Sequence, residues 1–306
     1  MSTPTSLELP AGVRRATIRT ARGRFAALEA TPVSGGCERE PALLVPGYTG
    51  SKEDFLAIAG LLAGRGRQVV AIDMRGQFET PGPDEPEGYS PVALGADIAA
   101  LVEATGARHL LGHSYGGLIA REGLLGQAVS RQVPGGIASF TLMSSGPAAL
   151  TGPRAGELRS MLAALGVEDG TVHGRAELRA KISDLWQAYL KPQAEQAGVP
   201  GPIVAFLARR MLGNDPDGLV YMARHLLTAP DRTAELASIN GIAMLVLYGQ
   251  DDDAWSAGTQ EAMARRLGAR RVCLPAAVHS PAVEAPAATA AALTRFWDEA
   301  EAARAA

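Results

Sequence analysis

The chain reads as an α/β protein built on a doubly wound, mostly parallel sheet, and three observations carry that reading. Apolar runs of strand length alternate with segments of helical spacing, and the connections between them are short, which implies parallel pairing through right-handed crossovers. One stretch, residues 147–237, breaks the alternation with helical patterns alone. At 306 residues the chain is long enough for one large domain or two small ones.

Residues 14–30 carry a Gly at position 23 between two strand-like runs, predicting an antiparallel hairpin at a sheet edge. Residues 42–45 form a short buried strand that stops at Pro46-Gly47, and Ser51 is placed to cap a helix running to Gly64. A strand follows at 68–73. Pro91 opens a helix over 91–105, with Leu94, Ile98, Leu101 and Val102 at helical spacing. The strand at 108–112 passes through a tight turn into a helix reaching Gly126, and 139–143 is the next strand. In the helical stretch the patterns cover 155–165, 174–190, 202–212 and 217–228. The second carries Leu178, Ile182, Leu185, Trp186 and Tyr189 on one stripe. Strands resume at 242–248 and 271–274 before a final helix over 283–303. Residues 1–146 and 238–306 are thus expected to form a core, and 147–237 an inserted helical cap.

Hydrophobic residues at 47% and charged residues at 20% describe an ordinary folded domain. With 29 basic and 32 acidic residues, a net charge of −3 offers no basic surplus for a nucleic-acid partner. Cys37 and Cys273 fit neither a disulfide framework nor a zinc site and are expected to be buried or idle thiols. The N-terminal residues lack the basic start and apolar stretch of a secretory signal, so a cytoplasmic location is expected. The longest clear apolar run, Ile242 to Tyr248, has the length of a buried strand, so no membrane span is expected. No glycine-rich nucleotide loop is present.

The chemistry concentrates at Gly112-His113-Ser114-Tyr115-Gly116, a G-x-S-x-G pattern that follows a strand and opens a helix. A nucleophile on so tight a turn is crowded by backbone two residues away, where only small residues fit. Ser114 is therefore the candidate nucleophile, and the Tyr115 N–H at the helix N-terminus can receive a developing oxyanion. Of the five histidines, His113 is adjacent to Ser114 and expected to point away, His109 sits at the strand start, and His173 and His225 fall in the cap. His279 follows the last strand at the edge where Ser114 emerges, and is the candidate base. Asp251, Asp252 and Asp253 follow the strand ending at Gly249 and offer the orienting carboxylate in the chain order Ser, Asp, His.

These residues resemble the α/β-hydrolase fold family, in particular its cap-bearing serine esterase-like members, over about residues 14–300. The resemblance implies an eight-stranded sheet and places the acid at the last position of G-x-x-D, here Gly249-Gln250-Asp251-Asp252. It likens Pro46–Ser51 to the first oxyanion loop, with the Tyr48 N–H as second donor beside Tyr115, and His279–Pro286 to the family's histidine loop. Two departures stand out. Pro46-Gly47 replaces a common His-Gly, and in Asp73–Thr80 the second glycine of D-x-R-G-x-G-x-S is Phe78, which bears on that loop's shape. Asp73 and Arg75 read as structural.

The implied activity is hydrolysis of a carboxylic ester or related acyl bond of a small molecule through an acyl-enzyme, with no metal or organic cofactor. Carbon–carbon bond hydrolases, thioesterases, peptidases, cofactor-free perhydrolases and hydroxynitrile lyases share the triad and stay open. So does a hydrolase-like ligand-binding protein without turnover. Dehalogenase-like and epoxide-hydrolase-like readings are disfavoured, since those enzymes carry Asp where this chain has Ser114. Trp186, Tyr189, Phe206, Met211, Tyr221 and Met222 are candidate pocket residues from the cap, and the sequence carries no signal of oligomeric state.

Overall fold

The computed structural model describes residues 2–33, 39–126, 136–167 and 174–305, so Cys37 and His173 lie outside the described residues. The strands are β1 (Val13–Thr20), β2 (Gly23–Ala30), β3 (Arg39–Val45), β4 (Arg67–Ile72), β5 (His109–His113), β6 (Ser139–Met143), β7 (Ala243–Gly249) and β8 (Arg270–Leu274). They form one sheet of eight strands in the order β1-β2-β4-β3-β5-β6-β7-β8. β1 pairs with β2 and β2 with β4 antiparallel, and every other neighbouring pair is parallel.

The parallel strands are covered on both faces, which is why β5 and β6 are buried at every residue, their polar His109, Ser139 and Thr141 included. Alternation along the strands divides the core. Leu43, Val45, Val70, Ile72 and Leu110 face α2 (Pro91–Thr105) and α3 (Tyr115–Leu125) in one apolar cluster. Ala42, Leu44, Val69, Ala71 and Leu111 face α1 (Leu56–Ala63) in the other, together with Leu293, Phe296 and Trp297 near the C-terminus.

Between β6 and β7 come α4 (Gly152–Ala164), α5 (Arg175–Leu185), a π-helical turn (Trp186–Leu190), α6 (Lys191–Gln196), α7 (Gly201–Gly213), α8 (Pro216–Thr228) and α9 (Thr233–Ala237), with no strand among the described residues. α10 (Ala257–Leu267) makes the β7–β8 crossover, and α11 (Pro281–Glu284) and α12 (Pro286–Ala305) end the chain.

Local differences from the sequence reading have identifiable causes. The helix expected after Ser51 begins with a 3₁₀ turn, Lys52–Phe55, and it is the Asp54 carboxylate that accepts the Ser51 N–H at 3.3 Å. The single helix expected over 174–190 contains the π turn. The last helix is two, because Pro286 pushes Ala285 out of the helical region to φ −138°. Cys273 is exposed on the edge strand β8 rather than buried. Among the described residues no helix is long and apolar enough to cross a membrane.

Several histidines are built into the fold as neutral rings. His113 ends β5 with its ring buried, and its Nε2–H donates to the His279 carbonyl at 2.7 Å. Burial first, and the neighbouring His279 second, hold its pKa down to about 3. His225 on α8 lies 3.3 Å through Nδ1 from the Tyr115 hydroxyl, and burial with the nearby Arg121 lowers its pKa to about 4. Burial lowers that of His109 as well, against its bond to Glu301. The unfolded chain protonates these rings near pH 6.5, whereas the folded chain does so only at lower pH. The unfolded state therefore binds more protons in the window between, and stability falls as pH drops below about 6.5. Urea unfolding at pH 5 should show a loss of about 2 kcal/mol for each of His113 and His225 relative to neutral pH. His225→Leu should shed its share of that slope. A stability independent of pH from 7.5 to 5 would contradict neutral burial of these rings.

Candidate active site

Ser114 joins β5 to α3 with φ 53° and ψ −121°, a left-handed position uncommon for a residue with a side chain. The turn closes only because its neighbours lack side chains. A Cβ on Gly112 would overlap the Gly116 backbone, and one on Gly116 would overlap the Val45 and Pro46 carbonyls. The Ser114 N–H bonds the Met143 carbonyl at 2.9 Å, and Ser145 Oγ donates to the Ser114 carbonyl at 2.8 Å, so both backbone groups of the strained residue are held. The side chain emerges at the carboxyl edge of the sheet.

The loops after β7 and β8 deliver two partners to that edge. His279 Nε2 is 3.0 Å from Ser114 Oγ, and His279 Nδ1 is 3.0 Å from Asp252 Oδ1. Asp252 is buried, whereas Asp251 and Asp253 are exposed and Asp253 pairs with Arg154 of α4 at 2.7 Å. The Asp252 carboxylate also accepts the Ala254 N–H at 2.9 Å, the Trp255 N–H at 3.3 Å and the Gln260 side-chain amide at 2.9 Å. Burial opposes its ionisation, yet the His279 hydrogen bond and charge with the other donors outweigh burial and hold its pKa below the usual range. The negative form is thus the one this setting stabilises.

Two groups that the sequence reading did not assign hold His279 in place. The His113 ring bonds the His279 carbonyl, so His113 points away from Ser114 as expected but into the backbone of His279. Glu284 Oε2 accepts the N–H groups of Val278 at 2.6 Å and Ser280 at 3.1 Å, bracketing His279 on both sides. The signal for Glu284 was present in the sequence, as an acid in the first turn of a helix opened by Ser280-Pro281. Gln260 lies on α10 and gave no such signal.

The Pro46–Ser51 loop runs beside Ser114, with a Cβ on Gly47 reaching 3.0 Å from the Ser114 Cβ. Its shape is fixed by Gln77, whose side-chain amide donates to the Gly47 carbonyl at 2.9 Å, and by the Gly50 N–H to the Gly47 carbonyl at 3.0 Å. The Tyr48 and Tyr115 N–H groups make no hydrogen bond to another described residue. Asp54 in the next turn pairs with Arg210 of α7 at 2.7 Å, both fully buried, and Arg210 also donates to the Ser2 carbonyl at 2.5 Å.

Asp73 lies behind this loop, accepting the Lys52 N–H at 2.7 Å and the Lys52 ammonium at 2.8 Å. Arg75 makes two hydrogen bonds to Asp97. Phe78 adopts φ 42°, a left-handed conformation that favours glycine, and its ring packs edge-on against Phe206 with centroids 5.7 Å apart.

Ser114 and His279 open into a cavity of about 760 Å³. Of the six cap residues expected to line it, Tyr189 and Met211 do. Trp186, Phe206 and Met222 are buried in the apolar cluster, and Tyr221 stacks on Tyr89 at 6.4 Å. The sequence reading missed Leu158 and Met161 of α4, Leu190 of the π turn, and Leu150 and Leu226, because helical spacing shows an apolar stripe without showing what it faces. Elsewhere among the described residues, Glu40, His109 and Glu301 lie close enough together to hold an ion, at the opposite end of β5. Their carboxylates are engaged by Arg108 and Arg67.

The fold has relatives among solved structures. A hydrolase from Pseudomonas aeruginosa is 25% identical, with 94% of this chain and 98% of that chain covered and a TM-score of 0.63. An esterase from a Rhodococcus species is 20% identical (94% and 98% covered, TM-score 0.65), and an enol-lactonase from Burkholderia xenovorans is 18% identical (92% and 99% covered, TM-score 0.66); likeness at this identity shows the fold. No curated protein matches the chain. The sequence profile described as the Alpha/beta hydrolase family matches residues 42–292, through the sheet, the Ser114 turn and the His279 loop. The chain belongs to the alpha/beta hydrolase family.

Proposed function

We propose that the protein is a serine hydrolase that cleaves a carboxylic ester of a small molecule through an acyl-enzyme. The observation that carries this reading is the continuous chain Ser114 Oγ, His279 and Asp252, each link 3.0 Å, assembled from three strand ends at the cavity floor. His279 Nε2 takes the Ser114 proton as Oγ attacks the ester carbonyl carbon. The tetrahedral oxyanion is received by the Tyr48 and Tyr115 N–H groups, which no other described residue occupies. Collapse breaks the bond to the alkoxide, which leaves with the proton returned by His279. Water then enters, loses a proton to the same nitrogen and releases the acid, restoring the Ser114 hydroxyl.

Asp252 fixes the His279 tautomer with Nδ1 protonated and stabilises the imidazolium between steps. Residues 147–237 act as a cap on the core formed by 1–146 and 238–306, walling the cavity above Ser114. Cap and core are joined through Arg210–Asp54 and Arg154–Asp253.

Ser114→Ala should lower turnover of an activated ester by about 10⁶ and abolish labelling by a fluorophosphonate probe. Labelling of the parent without turnover on any acyl substrate would favour a binding protein, and labelling that survives the substitution would remove Ser114 as nucleophile. Asp252→Asn should cost about 10⁴ in kcat, while Asp251→Asn and Asp253→Asn stay within about tenfold of the parent. A crippled Asp253→Asn would move the acid by one residue. Glu284→Ala should lower kcat about tenfold or more with KM little changed, through a loosened His279 loop. Glu284→Gln, which keeps an acceptor oxygen, should recover most of it, and equal loss in both variants would show that the bracket does not act through those amides.

A further inference from the structure

The cap side of the cavity is mainly apolar, with Arg154, Glu157, Ser160 and Gln193 as its polar lining, and it begins beside the loop next to Ser114. Met161 Sδ lies 4.0 Å from the Tyr48 hydroxyl, so the α4 wall starts directly above the loop that carries the Tyr48 N–H. Leu158, Met161 and Ala164 line the cavity from one face of α4, at helical spacings of three. Leu185, Tyr189 and Leu190 line it as well, from the segment that carries the π turn.

That lining depends on the π turn. In an α-helix residues four apart share a face, so Leu185 and Tyr189 would point together and Leu190 would turn away. The Trp186–Leu190 turn closes i→i+5 bonds instead, which brings residues five apart into register and sets Leu190 beside Tyr189 over Leu185. Trp186 is thereby turned into the interior, 1% exposed, while Tyr189 is 62% exposed although it lines the cavity, as a residue at its mouth would be.

The charges around the cavity exclude another class of ligand. Arg154 is paired with Asp253 at 2.7 Å and with Glu157 at 3.3 Å. The other charged lining residues are the acids Asp54, Glu157 and Glu284. Among the described lining residues no cation without an acid partner remains to receive a carboxylate on the substrate.

We propose that this apolar arm binds the uncharged acyl chain of the substrate, of medium length at about six to ten carbons to match the roughly 9 Å of α4 between Leu158 and Ala164, and that the π turn sets the length preference. The assignment rests on the ester-hydrolase reading for which group is bound, and on the cavity alone for the binding itself. Burial of each further methylene should raise kcat/KM about three- to fourfold until the arm is full, after which the gain stops.

The test is the kcat/KM series of p-nitrophenyl esters from acetate to dodecanoate. The parent should rise to a maximum near octanoate. A succinate half-ester of p-nitrophenol should react far more slowly than the butyrate ester, which is of equal acyl carbon count. Leu158→Asn and Leu190→Asn should each lower the octanoate-to-acetate ratio about tenfold, and deletion of Gln187, which returns the turn to α-helical register, should lower it as well. Val92→Asn, on the outer face of α2, should leave the ratio as in the parent. A parent fastest on acetate, or ratios untouched by both leucine substitutions, would overturn the proposal. Calorimetric titration of the Ser114→Ala protein with alkan-2-ones of increasing length separates the two readings. Affinity that rises with chain length while the parent protein cleaves no ester would overturn the hydrolase reading and keep the arm. Absence of binding at every length would overturn the arm whatever the catalysis.

Discussion

The positive φ of Ser114 is the constraint around which the site is arranged. A residue with a side chain in this conformation costs on the order of 1–3 kcal/mol, so it persists only where the surroundings leave no alternative. Here β5 must end and α3 must begin within one residue, the glycines at 112 and 116 let strand and loop backbones close in, and Met143 and Ser145 hold both polar groups of the serine backbone. Because β5 is central in the sheet and parallel to β3 and β6, the strain is borne by the most buried part of the fold, and Ser114 Oγ is presented at an edge that β7 and β8 also reach.

What surrounds the serine is a set of polar groups whose hydrogen bonds are nearly all made by protein. Asp252 receives four donors, one of them His279, and His279 is held through its own backbone by His113 and Glu284. Each bond removes a freedom that the imidazole would otherwise use to leave the line between oxygen and carboxylate. α7 is tied into the same arrangement by the buried Arg210–Asp54 pair, whose disruption by removing one partner would strand a charge at a cost of about 3–5 kcal/mol. That pair fastens α7 to the turn that follows the loop bearing the Tyr48 N–H.

Phe78 shows how a departure from a family pattern is absorbed. A glycine would adopt φ 42° without strain, whereas phenylalanine brings a Cβ into a crowded region. Its ring offsets that cost through the edge-on contact with Phe206 and the Lys52 ammonium 4.8 Å from its centroid. Phe78 thereby packs its loop against the helix that carries Arg210.

The residues whose roles follow from local rules were legible in the sequence alone. The alternation of strand and helix lengths, the G-x-S-x-G turn, Pro91 at the first turn of α2 and the order Ser, Asp, His each depend on sterics or spacing within a few residues, and they specify fold class and candidate chemistry. Tertiary structure decided whatever depends on which surfaces meet. Helical spacing marked Trp186 and Tyr189 on one stripe, but only packing determined that Trp186 enters the interior and Tyr189 the cavity, because the π turn changes the register between them. Gln260 reaches Asp252 because α10 crosses back under β7, and Arg210 reaches Asp54 across 156 residues of chain. Such pairs leave no local pattern, since the free energy that selects them comes from closing a buried charge or amide against a partner that only the folded chain supplies.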